Sequence, residues 1–202
     1  MRRILWDVDT QSDFVEPSGK LYVPGAELAR PAMARLVEAV RAAGLPHVAS
    51  ADDHELTDPE ISAEPDFEAT WPPHCLRGTP GALRVPETLQ ADPVVLGETT
   101  VQASWLRGDE FLLLKKTYDP FTNPNADALL ELLDPDEIIL FGVASDVCND
   151  AAIRALRARG RAVAYVEEAS RGIDEARTTA CTAAWRDAGV RFARLDELTA
   201  EL

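Results

Sequence analysis

The chain has 202 residues, of which 46% are hydrophobic, enough for one domain with a sizeable core but too few for two. Its 35 acidic and 20 basic residues give a formal net charge of −15, which argues against nucleic-acid and membrane partners. No apolar run approaches the roughly 20 residues of a membrane span. Three cysteines without framework spacing indicate a reducing compartment, so we expect one cytoplasmic domain over residues 1–202.

Strands and helices alternate along the predicted chain. In chain order we predict a strand at residues 4–9, a helix through 33–40 that stops at Gly44, strands at 47–51, 94–96 and 111–115, a helix at 126–133 with Asn125 as its N-cap, a strand at 138–143, a helix at 149–159, a strand at 162–166, a helix at 174–188 and a strand at 190–193. Such alternation forms parallel sheets with helices on both faces. The sequence therefore predicts an α/β fold of three layers, α/β/α, around a mostly parallel central sheet.

A long segment, residues 52–80, interrupts this alternation. It has five prolines, several acidic residues and two of the chain's three histidines, with little periodicity. A loop of this length inside a compact domain is usually functional or disordered. Because the histidines are concentrated there, we interpret it as a metal- or substrate-binding loop.

Polar side chains stand where predicted strands end. Asp9 closes the first strand, Asp52 follows the second, Lys115 ends the fourth, and Cys148 follows the most apolar one. Parallel sheets bind ligands at the carboxyl ends of their strands, so we expect these residues to meet at one rim. Taken singly, each is also explained as a surface charge or a packed thiol. Cys148 stands in the first turn of a helix, where backbone N–H groups and the helix dipole favour a thiolate.

Four short motifs resemble those of one enzyme family. They are D-T-Q-S-D-F at residues 9–14, K-K-T-Y-D-P-F at 115–121, G-V-A-S-D-V-C at 142–148, and W-P-P-H-C at 71–75 followed by G-T-P-G-A at 78–82. In this order they resemble the motifs of the isochorismatase-like cysteine hydrolases. The fourth is similar to W-P-x-H-C-x-x-G-T-x-G-A of the nicotinamidase (pyrazinamidase) branch. The resemblance implies the isochorismatase-like hydrolase fold.

The resemblance also implies a catalytic triad. It assigns Cys148 as nucleophile, Asp9 as general base and Lys115 as the cation between them. Lys116 is the alternative in register, but Lys115 has the family's spacing of six residues before Phe121. A thiol with an ordinary pKa of about 8.5 needs a nearby cation to ionise at neutral pH. We therefore expect Lys115 to lower the pKa of both its partners.

An oxyanion site and a ring-binding slot follow from the same resemblance. The family has a cis peptide bond here, between Val143 and Ala144, that aims the N–H groups of Ala144 and Cys148 at a developing oxyanion. Ser145 replaces the family's threonine and keeps the hydroxyl. The side chains expected to line the slot for a planar ring are Phe14, Trp71 and Tyr118.

A metal site is implied by the loop. In nicotinamidases a D-x-H motif, a histidine six residues later and the histidine of W-P-x-H bind a divalent ion that takes the pyridine nitrogen. Asp52, His54 and His74 match this pattern, whereas position 60 is Glu60 rather than histidine. Two carboxylates and two imidazoles suit zinc, manganese or iron, and Glu60 shifts the preference toward harder ions.

The expected function is hydrolysis of nicotinamide to nicotinate and ammonia through a cysteine thioester, a reaction of NAD salvage. The alternative is a related cysteine hydrolase acting on another carboxamide, ureido or carbamoyl substrate, which Glu60 favours. A third hypothesis is a non-catalytic binding protein with the same fold, with an unreactive Cys148. The expected partner is a small-molecule amide. Relatives often form dimers or tetramers, so the resemblance also implies a homo-oligomer.

Overall fold

The structure is a computed structural model that describes residues 1–202, apart from the side chain of Ala103. Its strands are β1 (Arg3–Val8), β2 (His47–Asp52), β3 (Val94–Leu96), β4 (Glu110–Lys115), β5 (Glu137–Val143), β6 (Ala162–Arg171) and β7 (Arg191–Phe192). Within the described chain these seven strands form one sheet in the order β3-β4-β2-β1-β5-β6-β7. Every neighbouring pair is parallel, which confirms the predicted sheet.

Helices cover both faces of this sheet. They are α1 (Ser12–Val15), α2 (Arg30–Ala42), α3 (Ala126–Leu133), α4 (Cys148–Ala158), α5 (Glu175–Asp187) and α6 (Leu195–Glu201). Successive residues of β1 point to opposite faces, so Leu5 packs with α2 and α6, whereas Ile4 and Trp6 pack with α3, α4 and α5. The three-layer α/β/α arrangement is thereby confirmed. None of the described helices is long and apolar enough to cross a membrane.

The boundaries differ from the sequence prediction in three places. Helices α1 and α6 were not predicted, because each has only four or seven residues. Strand β6 runs five residues past its predicted end, to Arg171. Its register against β5 shifts between Leu140 and Gly142, and exposed Glu167 and Glu168 at this irregularity break the apolar pattern.

The role predicted for Asn125 is wrong. It precedes α3 as expected, but its side chain makes no capping hydrogen bond. Instead its amide donates to the carbonyls of Gly97 and Thr99 and accepts from the N–H of Val101. This residue therefore fixes the segment that follows β3.

The strand order brings the polar strand ends together. Strands β4, β2, β1 and β5 are consecutive in the sheet. Asp52 and Lys115 are register partners on β2 and β4. Val8, which precedes Asp9, is the partner of Gly142 on β5. Strand β1 lies between β2 on one side and β5 on the other, and the strand order reverses there. Such a switch point is where open parallel sheets bind ligands.

A buried ion pair joins β1 to the segment after the long loop. The carboxylate of Asp7 is fully buried, pairs with the guanidinium of Arg84, and accepts a hydrogen bond of 2.9 Å from the Thr10 hydroxyl. Arg84 also donates to the carbonyl of Thr88 at 2.6 Å. Removing one partner of such a pair leaves a buried charge uncompensated.

We predict that Arg84→Met lowers the free energy of unfolding by about 3–5 kcal/mol, because Asp7 loses its counter-charge. The matched control is Arg35→Met, which removes an exposed pair with Asp196 and is expected to cost about 0–1 kcal/mol. Urea unfolding of both variants measures the difference. Equal midpoints for the two would show that the buried pair contributes no more than the exposed one.

Candidate active site

Four polar residues meet at one rim of the sheet. Asp9 follows β1, Asp52 and Lys115 end β2 and β4, and Cys148 begins α4 after β5. All four are buried, with exposed fractions of 7% or less. Their convergence is the one predicted from the strand ends.

The ammonium group of Lys115 lies at the centre of this cluster. Its Nζ is 2.8 Å from Asp9 Oδ2, 2.5 Å from Asp52 Oδ1 and 3.9 Å from Cys148 Sγ. It also donates a hydrogen bond of 3.0 Å to the carbonyl of Thr117. The structure thus brings together the acid, the cation and the thiol named from sequence, and adds Asp52 to them.

The neighbouring lysine points elsewhere. Lys116 Nζ donates to the carbonyl of Asp53 and lies 3.2 Å from the carboxylate of Asp58. Its side chain is 22% exposed, whereas that of Lys115 is fully buried. The geometry therefore favours Lys115 over Lys116 as the cation beside Cys148.

Asp9 is oriented by a serine that sequence reasoning missed. Ser50 Oγ donates a hydrogen bond of 2.8 Å to Asp9 Oδ1, and both residues are fully buried. Ser50 stands two residues before Asp52 on β2, so the alternation of side chains along a strand gives it the same face as Asp52. That spacing was the available signal.

The pKa of Asp9 is raised rather than lowered, contrary to expectation. Burial is the largest cause, Lys115 opposes it, and the nearby charge of Asp52 adds to the rise. Burial likewise raises the pKa of the Cys148 thiol well above its ordinary value. Lys115 acts to lower it, but the carboxylates of Asp9 and Asp52 both act to raise it.

The raised pKa of Cys148 runs against the thiolate expected at rest. One ammonium faces two carboxylates, so the formal charge beside Cys148 is −1, and negative charge disfavours a second anion. Helix α4 begins at Cys148, but its dipole acts against both burial and these carboxylates. Burial and the two carboxylates thus act against a thiolate at Cys148, and Asp9 lies on the same lysine as a candidate base.

The segment before Cys148 is tightly packed. Gly142 has φ +130°, and a Cβ there would lie 2.0 Å from the carbonyl oxygen of Val8, so only glycine fits. The Val143–Ala144 peptide bond is cis, as the family resemblance implies. Cys148 is the first residue of α4, so its N–H has no intrahelical partner. Ala144 and Cys148 line the same cavity.

Three predicted metal ligands form a cluster beside this site. Side-chain atoms of Asp52, His54 and His74 lie within 4.8 Å of one another. The Nε2 atoms of His54 and His74 are 3.7 and 3.4 Å from Asp52 Oδ2. Asp52 thus uses one oxygen toward Lys115 and the other toward the two imidazoles.

These residues fit a divalent ion. His54 Nε2 is buried and has no hydrogen-bond partner among the described residues. The other ring nitrogens have outer contacts, since His74 Nδ1 is 2.7 Å from the carbonyl of Pro72 and His54 Nδ1 is 3.4 Å from Asp58. Metal-binding histidines are oriented by outer contacts of this kind.

The fourth predicted ligand, Glu60, lies outside that cluster. Its side chain is buried and lines the adjoining cavity. Burial, followed by the charge of Asp52, raises the pKa of Glu60 to about 7. The backbone of Glu60 accepts a 2.7 Å hydrogen bond from Trp71 N–H, so the two residues are held together at the wall.

A small cavity of about 20 Å³, open to solvent on one side, lies between the thiol and the metal cluster. Cys148, Ala144, Asp52, Glu60 and His74 are among its lining residues. The apolar part of its wall consists of Phe14, Leu21, Val23, Trp71, Val147 and Ile173.

Of the three residues predicted to line the ring slot, two do so and one does not. Phe14 and Trp71 lie at the cavity wall. Tyr118 is 42% exposed and is not among the lining residues, so that prediction is wrong. Tyr118 directly follows Thr117, whose carbonyl accepts a hydrogen bond from Lys115 Nζ.

The D-T-Q-S-D-F motif at residues 9–14 also holds the backbone of the long segment 52–80, a role that sequence reasoning did not assign. The Gln11 side-chain amide donates to the carbonyl of Asp52 at 2.8 Å and accepts from its N–H at 2.7 Å. Asp13 accepts a 2.7 Å hydrogen bond from the N–H of Cys75, next to His74. These contacts fix the backbone of Asp52 and of Cys75, the neighbour of His74.

Comparison with known proteins agrees with this geometry. Residues 4–197 match the model of the isochorismatase domain. The chain is 31% identical over 198 residues to the nicotinamidase/pyrazinamidase of Mycobacterium tuberculosis (strain ATCC 25618 / H37Rv), covering 94% of this chain and 97% of that protein.

Two solved structures have the same fold. N-carbamoylsarcosine amidase from Thermoplasma acidophilum is 25% identical, with a TM-score of 0.76 and 98% of each chain covered. Pyrazinamidase of Pyrococcus horikoshii in complex with zinc is 23% identical, with a TM-score of 0.75, covering 96% of this chain and 99% of that one. Together with the domain match, these similarities show that the chain belongs to the isochorismatase-like hydrolase family.

Proposed function

We propose that this protein is an amidohydrolase that converts nicotinamide to nicotinate and ammonia through a thioester on Cys148. The observation that supports it most strongly is the contact of one buried ammonium, Lys115 Nζ, with both Asp9 and Cys148 at the edge of a cavity that reaches Asp52 and His74. The nicotinamidase relative points to the same substrate. This activity would place the protein in NAD salvage.

Formation of the thioester needs a base because the resting thiol is neutral. Asp9 takes the proton from Cys148 Sγ as the sulfur attacks the carboxamide carbon. The N–H groups of Ala144 and Cys148 stabilise the resulting oxyanion. When the C–N bond breaks, Asp9 returns its proton to the leaving nitrogen, which departs as ammonia.

Hydrolysis of the thioester uses the same groups in reverse. Asp9 removes a proton from a water molecule as its oxygen attacks the thioester carbon, and the C–S bond then breaks. The proton returns to the sulfur of Cys148, and nicotinate leaves. Lys115 stays charged throughout and keeps Asp9 in place, while Ser50 fixes the orientation of the Asp9 carboxylate.

The metal cluster has a binding role in this proposal. Asp52, His54 and His74 would hold a divalent ion, which, when bound, supplies a Lewis acid for a pyridine nitrogen. Phe14 and Trp71 would contact the ring, and aromatic contacts add about 0.5–1.5 kcal/mol beyond burial.

The cavity favours a neutral substrate over an anionic one. Its described lining residues include Asp52 and Glu60 but no lysine or arginine. Nearby Lys115 is already paired with two carboxylates. Among the side chains themselves, a substrate with its own carboxylate would meet like charge and no free cation, at a cost in binding that only a bound divalent ion would offset.

A second candidate is hydrolysis of a ureido or carbamoyl compound. The similarity to N-carbamoylsarcosine amidase supports it. The acidic cavity argues for an uncharged member of that class. Ammonia release from nicotinamide compared with release from neutral ureas separates the two candidates.

We predict that Cys148→Ala lowers ammonia release from nicotinamide by roughly 10⁴-fold or more, because the attacking atom is lost. The matched control is Cys181→Ala, a partly exposed thiol on α5 that is expected to keep full activity. A coupled ammonia assay on both proteins measures the effect. Unchanged release by the Cys148 variant would exclude the thioester route.

We predict that Asp9→Asn changes two rates in opposite directions. Hydrolysis falls by about 10²–10⁴-fold because the base is lost. The Asp9 carboxylate raises the pKa of Cys148, so its removal lowers that pKa and increases the thiolate fraction near neutral pH. Alkylation of Cys148 by iodoacetamide, followed by mass spectrometry, should therefore become faster.

The matched control for this pair of measurements is Asp127→Asn, which alters an exposed carboxylate paired with Arg159. Both of its rates should stay as in the unaltered protein. If Asp9→Asn slowed alkylation as well as hydrolysis, Asp9 would be stabilising the thiolate, and its role as base would be contradicted.

We predict that His54→Ala and His74→Ala each lose bound zinc and nicotinamide hydrolysis together. His47→Gln is the control, because His47 lies outside the cluster near Asp7. Elemental analysis after zinc loading and dialysis gives the metal per chain. Full zinc occupancy in the His54 and His74 variants would contradict the assigned ligands.

A further inference from the structure

One wall of the cavity comes from a segment that no sequence motif marked. Residues 172–174 connect β6 to α5, and the side chain of Ile173 lines the cavity together with Ala144, Val147 and Cys148. Ile173 is 36% exposed, so it stands at the border between the cavity and the surface. It is an apolar side chain on the same cavity as the nucleophile.

Hydrogen bonds tie this wall to the segment that contains the nucleophile. The buried carboxylate of Asp146 accepts from the N–H of Ile173 at 2.8 Å with one oxygen and from the N–H of Asp174 at 3.0 Å with the other. The N–H of Ser145 donates to the carbonyl of Arg171 at 2.8 Å. Asp146, the acidic residue two positions before Cys148, therefore has a structural role: its carboxylate holds the backbone of residues 173 and 174.

Close packing strengthens this connection. A Cβ at Gly172 would lie 1.9 Å from Thr178 Oγ1 and 3.1 Å from Asp146 Oδ1, so a larger residue does not fit beside the anchor. Ile173 therefore has a fixed backbone position relative to Cys148. A backbone held this way keeps the base of the Ile173 side chain at the cavity wall.

From this arrangement we propose that Ile173 is a specificity-determining residue that restricts the substrate to unsubstituted six-membered heteroaromatic carboxamides. Asp146 is the positioning residue that holds it at the cavity wall. This inference rests on the proposed function and deepens it. One methylene group in an apolar pocket changes discrimination by about 10–200-fold, which sets the size of effect to expect.

The test uses nicotinamide and its methyl derivatives at each free ring carbon as probes. We expect Ile173→Ala to raise the ratio of kcat/KM for at least one methyl derivative to that for nicotinamide by about 10-fold or more. Ile173→Val, which removes less volume, should give a smaller rise. Val95→Ala, on the exposed edge strand β3, is the matched control and should leave the ratio unchanged.

The outcomes separate this inference from the proposed function. An unaltered protein that releases no ammonia from nicotinamide or its derivatives overturns both. A protein that hydrolyses nicotinamide, but whose ratios change by less than about 2-fold in Ile173→Ala for every derivative, overturns the role of Ile173 alone. Thermal unfolding of each variant shows that the compared proteins are folded.

Discussion

The buried ammonium of Lys115 faces two carboxylates, Asp9 and Asp52, and the thiol of Cys148 is next to all three. Burial first, and then the charges of Asp9 and Asp52, raise the pKa of the thiol, whereas the same two carboxylates outweigh burial and raise the pKa of Lys115. The lysine therefore stays charged, and the sulfur stays protonated until a base accepts its proton. The general-base step assigned to Asp9 follows from this charge count rather than from an activated resting thiolate.

Asp52 links this catalytic group to the metal cluster. One of its oxygens contacts Lys115, the other faces the imidazoles of His54 and His74, and Gln11 fixes its backbone at both the N–H and the carbonyl. Asp52, at the end of β2, thus sets the distance between the metal cluster and the Lys115–Cys148 group. In the proposed reaction these are the sites of the ring nitrogen and of the carboxamide carbon. This fixed geometry, together with an apolar wall, supports the proposal that the substrate is a small aromatic amide.

Much of the fold and of the site could be predicted because both depend on local pattern. Apolar strands ended by polar residues give the sheet, and parallel pairing then brings Asp9 and Lys115 to one rim. What the pattern lacked was three-dimensional context. Tyr118 has the family's spacing, but its side chain is exposed to solvent, and the helix-start position of Asn125 conceals its bonds to a distant segment. The raised pKa of Cys148 comes first from burial and then from Asp9 and Asp52, and the strand-end pattern predicts the meeting of these residues but not the depth of their burial.

The central claim is that burial, together with the two carboxylates that share the Lys115 ammonium, leaves the Cys148 thiol neutral in the metal-free protein. The most direct measurement is the ultraviolet thiolate absorbance of the metal-free protein, titrated with pH, minus that of Cys148→Ala, so that Cys75 and Cys181 cancel. The account predicts no difference signal near neutral pH and a signal that develops only above the ordinary range for a thiol. A full thiolate signal already present near neutral pH would contradict it.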